Sequence, residues 1–139
     1  RTAKRAAPPA PWLILDAPPG TACPMIETVR DCDYVVLVAE PTPFSLHDAR
    51  LAADVLKTLK VPIGVVINRA QPGATEAREW CEQTRVPVLA EIPDSLDIAR
   101  AYSEGQLIVE ALPALRQVFD QLLQQLLSEL RTEGKAPAP

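Results

Sequence analysis

The chain has 139 residues, 47% of them hydrophobic, and a formal net charge of −4. That is one domain's length with ample material for a core, and the negative balance excludes the basic footprint of a nucleic-acid binder. No apolar run approaches the roughly 20 residues of a membrane span, and the run behind the basic N-terminus, Trp12 to Leu15, is too short for a signal peptide.

Residues 1–11 (RTAKRAAPPAP) carry no periodic pattern and read as a linker or as the end of a preceding segment. The absence of an initiator Met fits a fragment. Trp12-Leu13-Ile14-Leu15 predicts a buried strand ending in Asp16, followed by the turn residues Pro18, Pro19, Gly20 and Thr21. Pro24 suits the first turn of a helix over Met25 to Cys32. Tyr34 to Ala39 predicts a second strand, ending in Glu40.

Ser45-Leu46-His47-Asp48 reads as a capping box. It opens a helix with Ala49, Ala52, Val55, Leu56 and Leu59 on one face. Pro62 to Asn68 predicts a third strand, residues 76–84 a short polar helix and Val86 to Ile92 a fourth strand. Pro93-Asp94-Ser95 caps a helix to Ser103, and Pro113 starts a last helix reaching Arg131. Residues 132–139 have the composition of a disordered tail. Continuous apolar strands alternating with helices predict an α/β fold, a parallel sheet of about four strands flanked by helices.

Polar groups then converge on the carboxyl edge of that sheet, where open α/β folds bind ligands. They are Asp16 with Gly20 and Thr21, Glu40 with Thr42, Asn68 with Arg69, and Pro93 with Asp94. An acidic residue there can hold a magnesium ion through water. A glycine lets a backbone N–H approach a phosphate. Read alone, Asp16 also serves as a plain turn residue.

The stretches LILDAPPGTACP, VVLVAEPTPFSLHDARLA, PIGVVINRA and EIPDSLDIARAYSEGQ resemble the C-terminal half of the MinD/ParA/Mrp deviant-Walker ATPases. The resemblance covers about residues 12–112 and is nearest the branch with an inserted ferredoxin domain. It implies a P-loop NTPase half-domain over residues 12–131, with ATP and Mg2+ as cofactors. Asp16 would take the switch II/Walker B position, near Mg2+ through water. Gly20, followed by Thr21, would offer its N–H to the γ-phosphate. Asn68 would read adenine, with Pro93 beside the base.

The chain departs from the family in one respect. None of its five glycines builds G-x-x-x-x-G-K-[ST] or a lysine–glycine–glycine variant, and phosphate cradling needs such a loop. The family's phosphate-loop strand lies between the strands equivalent to 12–15 and 34–39. Either those two pair directly here, or an upstream half or partner protein supplies strand and loop. ATP hydrolysis coupled to a partner, in iron–sulfur or metal-centre handling, is then expected of the intact parent and not of this chain alone.

Other readings stay open beside this one. The chain could be a catalytically silent fragment or interaction module, or half of a dethiobiotin-synthetase-type ligase, although no Arg/Lys cluster marks a carboxylate pocket. Asp48 reads as the third residue of the capping box or as a catalytic or dimer-contact residue, a homodimer being among the partners considered. His47 reads as a solvated first-turn residue, and Asn68 can simply close a strand–loop junction. Cys23, Cys32 and Cys81 make neither a disulfide framework nor a zinc motif, and a cytoplasmic location fits them. Cys23, at a helix N-terminus before Pro24, reads as a structural or N-cap residue; alone it cannot hold an iron–sulfur cluster, though two chains could share one, and a cluster otherwise enters only through the absent ferredoxin segment. The last helix, with a seam of Leu115, Phe119, Leu122, Leu126 and Leu130, packs on the sheet or a partner, its opposite face having too few cations for a lipid surface.

Overall fold

The computed structural model describes residues 12–132 and 134. The expected linker over 1–11 and most of the expected tail over 132–139 lie outside the described residues. Strands β1 (Val35–Ala39), β2 (Ile63–Ala70) and β3 (Val88–Pro93) are parallel and lie in the order β1-β2-β3. β1 and β2 pair in register from Val35↔Ile63 to Ala39↔Ile67. Parallel neighbours need long crossovers, and helices α2 (Pro43–Thr58) and α3 (Glu76–Thr84) provide them. Helix α1 (Cys23–Val29) precedes the sheet, and α4 (Leu96–Ser103), α5 (Ile108–Ala111) and α6 (Pro113–Thr132) follow it.

The apolar spacing explains the packing. Leu46, Ala49, Ala53 and Leu56 recur on one face of α2 and are buried. Several of them join Val65, Ile67, Trp80 and Cys81 in the main core. α3 is polar outside, yet it buries Ala77, Trp80 and Cys81. Burial pushes the Cys81 thiol up from its ordinary pKa, so it behaves as a small apolar side chain. α6 lies along β3 and α5. With its amide nitrogen turned toward β3, Gln125 donates to the carbonyls of Val88 and Leu89, at 3.1 Å each. A side chain thus occupies backbone acceptors of one edge strand.

Gly64 marks a close approach in the centre of the sheet. A Cβ there would stand 2.6 Å from the Tyr34 hydroxyl and 2.7 Å from Leu89 Cγ.

Arg78 of α3 and Glu91 of β3 form a two-pronged pair, Nε to Oε1 and Nη2 to Oε2. The hydrogen bonds from Arg78 hold the Glu91 carboxyl below its usual range, and the guanidinium charge adds to this against partial burial. A depressed carboxylate contributes stability above its unfolded pKa and loses it as pH falls through the folded value. The stability difference between the native chain and Glu91→Gln is therefore expected to be full at neutral pH and to shrink in acid. Urea midpoints measured from pH 7 to pH 3 check this; a constant difference would refute it.

Two expectations change. Residues 12–18 form no regular element and pair with no strand, so among the described residues the sheet has three strands and not four. Leu13 and Ile14 are 52% and 90% exposed. A strand exists through the ladder bonds of a neighbour, and an apolar run alone does not provide one. The cap of α2 is Thr42, whose hydroxyl accepts the Ser45 N–H at 3.3 Å. Pro43, with its fixed φ, takes the first helical position. Ser45 is then the third helical residue, and its hydroxyl accepts the Glu40 N–H at 2.8 Å. Asp48 lies a turn further on and is not part of the cap.

β1 is consequently an edge strand, and among the described residues its outer side has no partner. An unsatisfied buried backbone group costs about 1–3 kcal/mol, and an apolar open edge recruits other chains. The purified chain is expected to self-associate, and those β1 amides that face away from β2 are expected to be poorly protected in the monomer. Light scattering combined with hydrogen exchange checks this; a monodisperse monomer with strongly protected β1 amides would count against it.

Candidate functional site

A cavity of about 1210 Å³ lies between the segment 12–20 and β1. One wall is backbone and side chains from Trp12 to Gly20, and the other is Val35, Val36, Leu37 and Val38. Ala49, Ala52 and Leu56 of α2 and Leu126 and Leu130 of α6 complete the lining, which is mainly apolar. Small-molecule pockets run to about 300–1,000 Å³. This larger apolar slot opens along the free edge of β1, the side on which a further strand would pair.

Asp16, Gly20, Ser45 and Asp48 also line this cavity. Asp16 is exposed and, among the described residues, forms no hydrogen bond or ion pair. Gly20 has φ 85 with open space around it, so glycine is required there by the backbone and not by crowding. Thr21 is exposed and is not part of the lining. A solvent-facing carboxylate beside a left-handed glycine fits a magnesium ion held through water and a backbone N–H offered to a phosphate. It does not make a closed metal site: no group of three or more metal-ligating side chains occurs among the described residues.

The other half of the predicted set lies apart. Asn68 is half-buried near the end of β2, and Pro93 is exposed at the end of β3. Neither lines the cavity. They lie at the ends of paired strands, whose ladder is irregular between Ile67 and Ala70 and resumes with Ala70↔Pro93. Arg69, at φ 53, sits in this irregularity. Its Nε lies 3.4 Å from Asp94 Oδ1 and its Nη1 3.9 Å from Glu40 Oε2. Gln71 Nε2 donates to Asp94 Oδ2 at 3.1 Å.

The ends of β1, β2 and β3 thus converge as expected. Arg69 joins them, a role that its sequence position after Asn68 does not reveal. Ser45 is not the cap that its sequence pattern suggests; its hydroxyl anchors the turn after β1. Cys23 is exposed at the start of α1, and Cys32 is half-buried beside the cavity.

A family model described as ParA, NUBPL iron-transfer P-loop NTPase, matches residues 10–130. A cytosolic Fe-S cluster assembly factor NUBP1 homolog of Caenorhabditis briggsae is 29% identical over 142 residues, covering 86% of this chain and 45% of that protein. The iron-sulfur cluster transfer protein NUBPL of Mus musculus is 28% identical over 117 residues, covering 73% of this chain and 37% of that protein. The septum site-determining protein MinD of Pyrococcus horikoshii OT3, solved with Mg-ADP, superposes with a TM-score of 0.65 at 25% identity, covering 85% of this chain and 51% of that one. The chain spans less than half the length of these two curated relatives.

Proposed function

Because the chain belongs to the ParA family of P-loop NTPases, the family described by NUBPL iron transfer, we propose that it supplies one side of an ATP site completed by a phosphate loop from outside these 139 residues. The observation that carries this reading is the cavity. It offers an open β1 edge for a further strand, and its lining includes Asp16 and Gly20.

In the completed site Asp16 holds Mg2+ through water and Gly20, followed by Thr21, presents a backbone N–H toward the γ-phosphate. Asn68 hydrogen-bonds the adenine edge, with Pro93 beside the base. The bound metal supplies charge neutralisation to the phosphates. The side chains of this chain orient the nucleotide and sense its last phosphate. Hydrolysis then serves a partner in iron–sulfur or metal-centre handling, as the names of the relatives indicate for those proteins. No helix among the described residues is long and apolar enough to cross a membrane. A cytoplasmic setting and homodimerisation are part of the same proposal.

Phosphoryl transfer depends on positioning and neutralisation of the phosphates. The chain alone is therefore expected to show no Mg-ATP binding near micromolar concentration by calorimetric titration. Adding the polypeptide that carries a Gly-Lys-Gly-Gly-type loop should create both binding and turnover. A clear micromolar isotherm from the chain alone would overturn the proposal, as would a mixture that stays inert.

A further inference from the structure

We propose that Arg69 is a positioning residue for the base-reading side of the site. It ties the bulged end of β2 to the ends of β1 and β3 and so fixes where Asn68 and Pro93 stand. The inference rests on the functional reading above and adds to it the residue that holds that side together.

Both the backbone and the side chain of Arg69 support this. Its φ of 53 places it in the left-handed region, which a residue with a Cβ enters at a cost. Such strained backbone is retained where the surroundings over-determine it. Here the ladder skips from Ile67 to Ala70, so Asn68 and Arg69 occupy the irregular stretch. Bulges of this kind re-aim side chains at the rim of a sheet. The ladder closes again at once: Ala70 pairs with Pro93, and the Asp94 N–H donates to the Ala70 carbonyl at 3.1 Å.

The guanidinium completes the tie. It reaches Asp94 at 3.4 Å and Glu40 at 3.9 Å, carboxylates that follow β3 and β1. Gln71 holds the second Asp94 oxygen. The Arg69 side chain is 61% exposed, and a single surface pair contributes little stability. A planar fork facing two carboxylates instead fixes relative geometry. Asn68, next in the chain, inherits that geometry.

The test has two arms. The first is hydrogen exchange on this chain. In Arg69→Gly, which keeps the left-handed turn without strain, exchange of the Asp94 amide should accelerate about tenfold, as for a local opening made easier by one lost contact. Asp94→Asn should do the same. The second arm uses the chain assembled with the polypeptide bearing the phosphate loop, and measures binding of ATP and GTP.

Arg69→Gly should lose about tenfold of the preference for ATP over GTP, the scale of one misplaced hydrogen-bonding contact. Arg69→Lys, retaining the charge without the fork, should recover part of it. Unchanged exchange would overturn the tie. Equal weakening of ATP and GTP would overturn the positioning role, because a merely structural defect treats both bases alike. An unmutated assembly that binds neither nucleotide would overturn the functional reading and the base-positioning role together. That outcome is told apart because it appears without any substitution.

Discussion

Asp16→Ala is expected to lower ATP turnover of the completed site by about a hundredfold or more, the scale seen when one group stabilising transition-state charge is removed. The carboxylate lines the cavity, exposed and without a partner among the described residues. Its replacement breaks no hydrogen bond or ion pair among the described residues, so the melting temperature of the chain should stay nearly unchanged. That separation makes the measurement decisive. Steady-state hydrolysis and thermal melting are measured on the same preparation. Lost turnover with an unaltered melt assigns Asp16 to the reaction. Near-normal turnover would leave it with a turn-forming role only. Asp16→Asn keeps the shape but removes the charge and should be almost as impaired, since the water shell of a divalent cation responds to charge.

Gly64→Ala is expected to destabilise the chain by about 1–3 kcal/mol, the cost of forcing a methyl group into a packed interior. Gly64 is buried in the middle strand, opposite Val36. The added Cβ would meet the Tyr34 hydroxyl at 2.6 Å and Leu89 Cδ1 and Cγ at 2.7 Å. Tyr34 leads into β1, and Leu89 is a buried residue of β3. One methyl group therefore pushes on both neighbours of the central strand. Domains of this size hold only about 5–15 kcal/mol in total, so the loss should be visible as a lower urea midpoint. If Leu89 is what must yield, Gly64→Ala combined with Leu89→Ala should be less destabilised than the sum of the single changes. Simple additivity would show that the two side chains do not meet.

The sequence by itself determined the elements whose cause is local. Mainly apolar runs bounded by prolines and turn residues mark all three strands, because the strands of a helix-covered parallel sheet carry apolar side chains toward the core. α3 and α6 are legible to within a residue from their spacing and from Pro113. The convergence of Glu40, Arg69 and Asp94 at the ends of β1, β2 and β3 is legible too, since strand direction alone brings these groups to one edge. Tertiary structure decided the rest. Trp12 to Leu15 has the composition of a strand but forms no ladder, because pairing depends on a neighbour that no local pattern encodes. The cap of α2 moved to Thr42 because Thr42, Ser45 and Glu40 form one network across the turn after β1. The division of the predicted site also comes from the fold: Asp16 and Gly20 stand at the cavity, while Asn68 and Pro93 sit at the ends of the paired strands β2 and β3. Arg69 is placed by the sequence at the sheet edge beside Asn68, but its partners are not legible there. Its left-handed backbone and its reach to Glu40 and Asp94 exist only once β1, β2 and β3 lie side by side, because contacts between residues about 25 positions apart are made by sheet pairing and not by the chain itself.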